Sequence, residues 1–213
     1  MIAGDTGVLE GLLDAGIRRL KIVIPDEGMS KLVAYVNLLA KWNSAYNLTA
    51  IRDPESAVTH HILDSLSVIE HLPTGTIVDV GSGAGLPGIP IAIAEPGRRV
   101  TLNDSSQKKI AFLRQAKIEL GLANVDLHAG RAEDWRPEPR FDVAISRALA
   151  QGAVFVSLAR HLLKPLGCVA LMKGTLPSQE MVGIADNAKC RVIKLEVPFL
   201  DAERHLVLCE YKA

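Results

Sequence analysis

The stretch that decides the fold is Asp79–Gly88, which reads DVGSGAGLPG. It begins at the end of a short apolar run at 76–80 and ends at the start of a segment that we expect to be helical from Pro87. Glycines let the main chain turn sharply and let a ligand approach backbone atoms without a Cβ in the way. A glycine-rich turn between a strand and a helix is typical of α/β folds that bind nucleotides.

Strand-like and helical segments alternate from this turn onward. Strands are expected at 76–80, 99–103, 125–129, 141–145, 168–172, 191–197 and 205–210, and helices from 87 and at 105–120, 152–163 and 177–188. Near-continuous apolar strands indicate a parallel sheet covered by helices on both faces. The last two strands are too close for a crossover helix, so they form a hairpin. The pattern predicts an α/β, Rossmann-like fold with a seven-stranded, mostly parallel sheet and an antiparallel C-terminal hairpin.

The chain before this region has a different periodicity. Apolar side chains recur every three or four residues around Leu32–Asn43, and a second helical stretch covers about 54–72. Pro73-Thr74-Gly75 then breaks the pattern. We expect an N-terminal helical cap over residues 1–74 and a ligand-binding domain over 75–213, which together form one compact unit.

Composition excludes several classes of protein. The chain has 213 residues, of which 48% are hydrophobic and 23% charged, so it is neither disordered nor collagen-like. It has no apolar run of about 18 residues, the length of a transmembrane helix. Its N-terminus lacks the basic residues and the following apolar run of a secretory signal peptide, so we expect a cytoplasmic protein without a membrane segment. Basic and acidic residues number 24 each. Basic side chains nevertheless concentrate at 98–117, either as a local basic surface or as ordinary solvated helix faces.

The cysteines give little sign of a disulfide or a metal site. There are three, Cys168, Cys190 and Cys209, and no pair has C-x-x-C spacing. An odd number without such spacing favours reduced cysteines over a disulfide framework or a zinc site. No histidine cluster suggests another metal.

Two acids at strand ends indicate the kind of ligand. Asp104 ends the second strand, where a carboxylate can accept hydrogen bonds from two ribose hydroxyls. Gly83, Gly85 and Gly88 formally satisfy the dinucleotide pattern G-x-G-x-x-G. Counted from the strand end, however, the turn reads acid-x-G-x-G-x-G. Asp79 would repel a pyrophosphate and attract a cation such as the amino end of S-adenosylmethionine, so methyl transfer is favoured over nicotinamide binding.

More specific motifs lie along nearly the whole chain. They are Tyr35-Val36-Asn37, Trp42-Asn43, Tyr46–Thr49, His61–Ser65, Asp79–Pro90, Asp104-Ser105 with Lys108, Phe112–Arg114, Arg131–Glu133, Ser146–Ala148, Lys173-Gly174 and Glu203–Leu206. With these motifs the chain resembles the RsmG (GidB) family of bacterial 16S ribosomal RNA guanine-N7 methyltransferases. The resemblance implies a class I methyltransferase fold and methyl transfer from S-adenosylmethionine to N7 of a guanine in 16S rRNA, guanine 527 in the 530 loop.

The resemblance also implies residue roles and partners. Together with the strand-end register, it points to cofactor contacts at Asp79, Gly81, Gly83, Gly85, Leu86, Asp104, Ala132, Glu133 and Arg147. Substrate contacts are expected at Arg147, Lys173 and Arg204. The partner would be 16S rRNA or the small ribosomal subunit, and the protein is expected to be a monomer. Asn103 departs from the family, which usually has a hydrophobe before the ribose-binding acid, and this puts the local packing in question.

No residue is expected to act as a general base. Guanine N7 has a free lone pair and loses no proton on methylation, so the reaction needs positioning, and Arg147 is the expected positioning residue. His60 and His61 are more consistent with structural roles, and His60 could pair with Asp64 at i,i+4. Two alternatives stay open: a methyltransferase with a different RNA, small-molecule or protein acceptor, and a nucleotide-binding module without activity.

Overall fold

The computed structural model describes residues 4–147, 152–175 and 188–211, and its first part is helical. The helices of this part are α1 (Thr6–Leu20), α2 (Gly28–Tyr46), α3 (Pro54–Ala57) and α4 (Asp64–Leu66), with a π-helical turn at Val58–Leu63 between the last two. The helices predicted at the N-terminus are therefore confirmed. The division into domains at residue 74 stays a prediction.

The described residues contain seven strands in one sheet. They are β1 (Ile77–Val80), β2 (Val100–Asp104), β3 (Val125–Ala129), β4 (Phe141–Ser146), β5 (Leu163–Lys173), β6 (Ala188–Lys194) and β7 (His205–Tyr211). Their order is β3-β2-β1-β4-β5-β7-β6. The pairs among β1 to β5 are parallel, whereas β7 runs antiparallel to both of its neighbours. The predicted sheet and its antiparallel C-terminal hairpin are confirmed.

Helices cover both faces of this sheet. The crossover helices are α5 (Gly88–Ala94), α6 (Gln107–Glu119) and α7 (Gly152–Ala159), the last followed by a 3₁₀ turn at Arg160–Leu162. One core cluster joins the N-terminal helices to α5, α6 and one sheet face, through side chains such as Leu9, Leu32 and Ile89 with no exposed surface. A second cluster buries Phe155 and Val156 of α7 against the other face. The N-terminal helices therefore share the main core.

The sheet brings distant parts of the chain to one edge. Parallel strands end at the same edge, so the residues that follow β1, β2 and β4 lie side by side. The end of β5 joins them, because Ser146 pairs with Leu171 in the β4–β5 register. Lys173 in turn pairs with His205 at the start of β7, and this pairing places Arg204 beside it. Binding sites in open α/β sheets lie at this edge.

Some predicted boundaries are wrong. Strand β5 begins at Leu163, five residues earlier than predicted, because Leu163 pairs with Phe141 across a register shift. Strand β6 covers Ala188–Lys194 instead of 191–197, because each of these residues pairs with β7. The helix predicted at 177–188 lies outside the described residues except for Ala188, which begins β6.

The expectation of reduced cysteines fails for one pair. Cys190 and Cys209 face each other in the β6–β7 register and are joined by a disulfide, with Cα atoms 4.0 Å apart. Direct cross-strand pairing brings together two residues 19 positions apart, and no short spacing motif reveals it. Cys168 is free and buried, as predicted. Burial raises the pKa of its thiol to about 12, so this thiol is a poor nucleophile.

Several basic side chains of the segment 98–117 have acidic partners. The largely buried side chain of Arg98 is bonded to Glu95 and to the carbonyl of Gly75. Arg99 and Lys117 both pair with Asp126. Both interpretations of this segment, a local basic surface and ordinary solvated helix faces, stay predictions.

Two kinds of feature are absent from the described ranges. Among the helices of these ranges, none has the length and hydropathy of a membrane-spanning segment. Within the same ranges, no group of three or more His, Cys, Asp or Glu side chains is arranged to hold a metal ion.

Candidate active site

The glycine turn after β1 divides into an open half and a packed half. Gly81 and Gly83 have φ of 69° and 60°, and an added Cβ would meet no atom within 4 Å at Gly81 and none closer than 3.9 Å at Gly83. At Gly85 an added Cβ would lie 2.4 Å from the side chain of Ile89, and at Gly88 it would lie 2.2 Å from Leu102. The first two glycines therefore leave room for a ligand, whereas the later two allow α5 to pack closely.

Leu86 contributes to this turn from the inside. Its side chain is buried in the core, and its N–H donates to the carbonyl of Ser82 at 3.0 Å. The cofactor contact predicted at Leu86 remains a prediction.

Asp104 lies at the end of β2 and holds the open half of the glycine turn by a hydrogen bond. Its Oδ2 accepts from the N–H of Gly83 at 3.0 Å and lies 3.4 Å from Nζ of Lys109. Its Oδ1 accepts from the N–H of Ser106 at 2.9 Å. Each carboxylate oxygen accepts about two hydrogen bonds, so Oδ1 retains capacity for a hydroxyl donor. The structure therefore places the predicted ribose-binding acid next to the open glycines.

Asp79 ends up fully buried beneath the same turn. Its Oδ2 accepts from the N–H of Gly88 at 2.8 Å, whereas its Oδ1 is one of two buried side-chain oxygen or nitrogen atoms in the described residues without a hydrogen-bond partner. Burial raises the pKa of this carboxyl to about 7, against the lowering effects of the Gly88 hydrogen bond and of Arg147. An unpaired buried oxygen of this kind is what a cationic or N–H-bearing ligand would satisfy.

Asn103, the departure from the family pattern, is well accommodated. It is buried, and its Nδ2 donates to Nδ1 of His128 and to the carbonyl of Gly130, both at 2.9 Å. The His128 ring stacks on Trp135 at 3.8 Å between centroids. Asn103 therefore ties β2 to the end of β3, and the question about local packing is answered.

The residues predicted beside the cofactor after β3 have different environments. Ala132 is buried, and its carbonyl accepts from Nε2 of His161 at 2.9 Å. Glu133 is exposed and lines an open groove together with Ser157 and His161. The structure thus holds the backbone of Ala132 in place and leaves the carboxylate of Glu133 accessible.

The helical cap also reaches the glycine turn, which sequence reasoning missed. Tyr35 of α2 has no exposed surface, and its hydroxyl donates to the carbonyl of Ala84 at 2.5 Å. Burial raises the pKa of this hydroxyl far above its usual value. Tyr35 was visible only as part of a motif of the resembling family, and no local pattern marked its contact.

A second group of residues surrounds a cavity of about 330 Å³ at the ends of β4 and β5. The three residues predicted to contact substrate lie together in its wall, and the cap contributes four more, including Asp64. The charged and imidazole residues of this wall are His60, His61, Asp64, Arg147, Lys173 and Arg204.

Asp64 holds the two arginines of this cavity. Its Oδ2 lies 3.4 Å from Nη1 of Arg147, and its Oδ1 accepts from Nε of Arg204 at 3.0 Å. The pairing of Asp64 with His60 predicted from i,i+4 spacing is wrong. The π-helical turn changes that spacing, and the ring Nδ1 of His60 donates instead to the carbonyl of Ser56 at 3.0 Å.

Both ring nitrogens of His61 have polar neighbours. Nε2 lies 3.1 Å from the hydroxyl oxygen of Thr49, and Nδ1 lies 3.0 Å from the carbonyl oxygen of His60. Nη1 of Arg147 lies 3.3 Å from the same Nδ1 and 3.2 Å from that carbonyl oxygen. Burial, then Arg147, lowers the pKa of His61 to about 4. His61 is therefore neutral near pH 7, and each of its ring nitrogens lies within hydrogen-bond distance of a partner.

Comparisons with known structures identify the fold. A SAM-dependent methyltransferase from Aquifex aeolicus superposes with a TM-score of 0.59 at 19% identity, over 78% of this chain and 97% of that one. The N-methyltransferase NodS from Bradyrhizobium japonicum, in complex with S-adenosyl-L-homocysteine, also gives 0.59 at 11% identity, over 82% and 100%. The strand order and the glycine turn thus define the class: the fold is that of the class I methyltransferases.

Comparisons of sequence identify the family. The profile described as rRNA small subunit methyltransferase G matches residues 28–207. A protein named ribosomal RNA small subunit methyltransferase G from Methylobacillus flagellatus is 52% identical over 92% of this chain and 95% of its own length. Its namesake from Burkholderia thailandensis is 51% identical over 95% and 91%. The chain belongs to the rRNA small subunit methyltransferase G family, and the resemblance seen in the motifs is confirmed.

Proposed function

We propose that the protein transfers a methyl group from S-adenosylmethionine to N7 of a guanine in 16S rRNA. The relatives are named as methyltransferases of small-subunit ribosomal RNA, and the two halves of the site fit a cofactor and an RNA acceptor. The observation that carries the proposal is the cavity at the ends of β4 and β5. Arg147, Lys173 and Arg204 line it, the two arginines pair with Asp64, and the buried imidazole of His61 is neutral.

The residues after β1 and β2 fit S-adenosylmethionine. Gly81 and Gly83 leave open space where a side chain would stand, and Asp104 keeps acceptor capacity for a ribose hydroxyl. The unpaired Oδ1 of Asp79 suits a cationic amino group. S-adenosylmethionine supplies an electrophilic methyl group, and these residues would hold and orient it. Ala132 and Glu133 are proposed to lie along its adenine, with the carboxylate as an acceptor for the ring amine.

The acceptor half fits a guanine N7 better than an exocyclic amine. N7 carries a lone pair and loses no proton, so its methylation requires orientation and not a base. His61 has a pKa of about 4 and its Nδ1 faces Arg147, so it is poorly suited to accept a proton. The positive side chains suit the phosphates that flank a base, which give affinity without sequence selection.

Partner and location follow from this substrate. An enzyme of 16S rRNA, acting on the free RNA or on the small subunit, would work in the cytoplasm. We further propose a monomer of 22.9 kDa, which light scattering would distinguish from a dimer of twice that mass.

The test is a methylation assay with defined acceptors. The protein is incubated with S-adenosylmethionine labelled in its methyl group and with small subunits or 16S rRNA that lack the modification. The RNA is then digested to nucleosides. The expected product is 7-methylguanosine at one position. Label in an N6-, N2- or C5-methylated nucleoside would refute N7 as the acceptor, and label only in protein or small molecules would refute the RNA substrate.

A further inference from the structure

Asp64 links three parts of the chain that are far apart in sequence. It belongs to the cap, whereas Arg147 follows β4 and Arg204 precedes β7, at separations of 83 and 140 residues. Its carboxyl is only 3% exposed and lines the acceptor cavity. From its position in the sequence, Asp64 was expected only to pair with His60, and the structure does not contain that pairing.

The charges explain why a carboxylate lies at this point. Two guanidinium groups that converge on one cavity repel each other, and a shared anion between them offsets that repulsion. The anion is costly to bury and must keep both partners, since removal of one partner from a buried pair is strongly destabilising. Burial raises the pKa of Asp64, and Arg147 and Arg204 lower it.

The contacts leave part of each guanidinium for other partners. In the described contacts Arg147 uses only Nη1, which meets Asp64, His61 and the carbonyl of His60. Arg204 uses Nε for Asp64 and Nη1 for the carbonyl of Glu203. Arg147 thus keeps Nε and Nη2, and Arg204 keeps Nη2, outside the hydrogen bonds that the described residues make. Planar guanidinium groups fixed along one edge are suited to bind phosphate with the other.

We propose that Asp64 is a positioning residue of the acceptor site, which orients Arg147 and Arg204 towards the RNA. It acts through the two arginines and does not touch the reacting atoms. The inference rests on the proposed function for the nature of the acceptor. It makes the helical cap a contributor to the acceptor site, in addition to its packing role.

The experiment compares Asp64→Asn with wild type and with a matched control. Asp14→Asn makes the same chemical change in the cap, at a carboxylate that is half exposed and paired with Arg18. Each protein is assayed for S-adenosyl-L-homocysteine affinity by calorimetry, for affinity to a 16S rRNA fragment, and for single-turnover methylation of small subunits. For Asp64→Asn we expect a loss of about 10²-fold in single turnover, the scale of a misplaced reacting group, with cofactor affinity changed less than about threefold. The control should match wild type.

Two further variants separate positioning from folding. Asp64→Glu keeps the charge and should retain the single-turnover rate within about tenfold, as expected if the anion is what matters. In the double variant Asp64→Asn/Arg204→Gln, the loss should be smaller than the product of the two single losses, because part of the effect of Asp64 acts through Arg204. Full additivity of the two losses would overturn the proposal.

Two further results would also contradict the proposed role of Asp64. A wild-type rate in Asp64→Asn, or an equal loss of cofactor affinity in it, would overturn the positioning role. Failure of the proposed function is recognised separately, in the wild type, by the absence of 7-methylguanosine. In that case the RNA-affinity comparison of Asp64→Asn with Asp14→Asn still tests whether Asp64 organises an RNA-binding site.

Discussion

The two halves of the site are built in different ways. Most of the proposed cofactor half is local: one glycine turn, the acid beneath it and the acid at the end of β2 lie within residues 79–104, and Ala132 and Glu133 are proposed to complete it. The proposed acceptor half is assembled from side chains of the cap, of β5 and of the segments that follow β4 and precede β7, and a shared carboxylate holds its two arginines. A local half can be recognised from a short motif, whereas a half built from distant charges depends on the whole fold. Substitutions in the two halves should therefore have different signatures.

The largest effect is expected from Arg147→Ala. This change leaves Asp64 with Arg204 as its remaining arginine and removes the contact to His61, so the acceptor half loses its organisation. Single turnover at saturating cofactor and subunit should fall by about 10²-fold or more, because misplaced reactants react slowly. Rapid-quench assays measure this rate. An equally large loss of cofactor affinity, with the rate at saturation preserved, would assign Arg147 to the cofactor half instead.

Asp104→Ala should have the opposite signature. It removes the acceptor for ribose hydroxyls and the bond to the N–H of Gly83, so cofactor binding should weaken by about 1–3 kcal/mol. At saturating S-adenosylmethionine the rate should largely recover. Calorimetry that showed unchanged affinity in a folded variant would contradict the assignment, and NAD should not compete in either protein.

Asp79→Asn tests the acid beneath the glycine turn through the stability of the protein. The pKa of the Asp79 carboxyl is about 7 in the folded protein and close to 3.8 in the unfolded chain, so between these pH values the folded protein binds a proton that the unfolded chain does not. Stability should therefore fall as pH rises from about 4 to 7 in wild type. The amide that replaces the carboxyl has no proton to lose, so the variant should be more stable than wild type by about 1–3 kcal/mol at pH 8 and by little at pH 4. It should nevertheless bind S-adenosylmethionine more weakly. Thermal unfolding across pH tests the first statement, and equal stability at both pH values would contradict it.

The smallest effect is expected from His61→Gln. If no base is needed, single turnover should stay within about tenfold of wild type, below the 10²–10⁴ typical of a lost general base. The folded pKa of His61 is about 4, against about 6.5 in the unfolded chain, so stability is lost as pH falls from 6.5 to 4. The rate profile of wild type should show no step from His61 near pH 6–7. A thousandfold loss in a folded, substrate-saturated variant would show that the reaction needs a base.

The fold was largely predictable from the sequence because short strand segments, mostly apolar in β1, β4 and β5, alternate with helical segments along the chain. The glycine turn and Asp104 were predictable because each lies directly at the end of a predicted strand. Gly85 shows the limit of motif interpretation, because its place in the pattern suggested ligand contact, whereas its Cα packs against Ile89 and Leu113.

The parts that sequence reasoning missed depend on tertiary register. Asp64 meets Arg204 across 140 residues, and Cys190 meets Cys209 only because β6 and β7 are paired in one particular register. The i,i+4 pairing of His60 and Asp64 failed because a π-helical turn replaced the regular helix. Tyr35 reaches the glycine turn through helix packing, which no spacing along the chain encodes.

The place of β7 between β5 and β6 has a consequence for how the chain is built on the ribosome. Synthesis is vectorial, and domains fold as their segments emerge. Strand β6 is made before β7 but has no neighbour in the described sheet except β7, so its backbone must wait for the later strand. Arg204 directly precedes β7 and therefore reaches its place in the fold only when β7 does. A nascent chain can therefore complete its glycine turn early, but it gains its acceptor site only when β7 inserts.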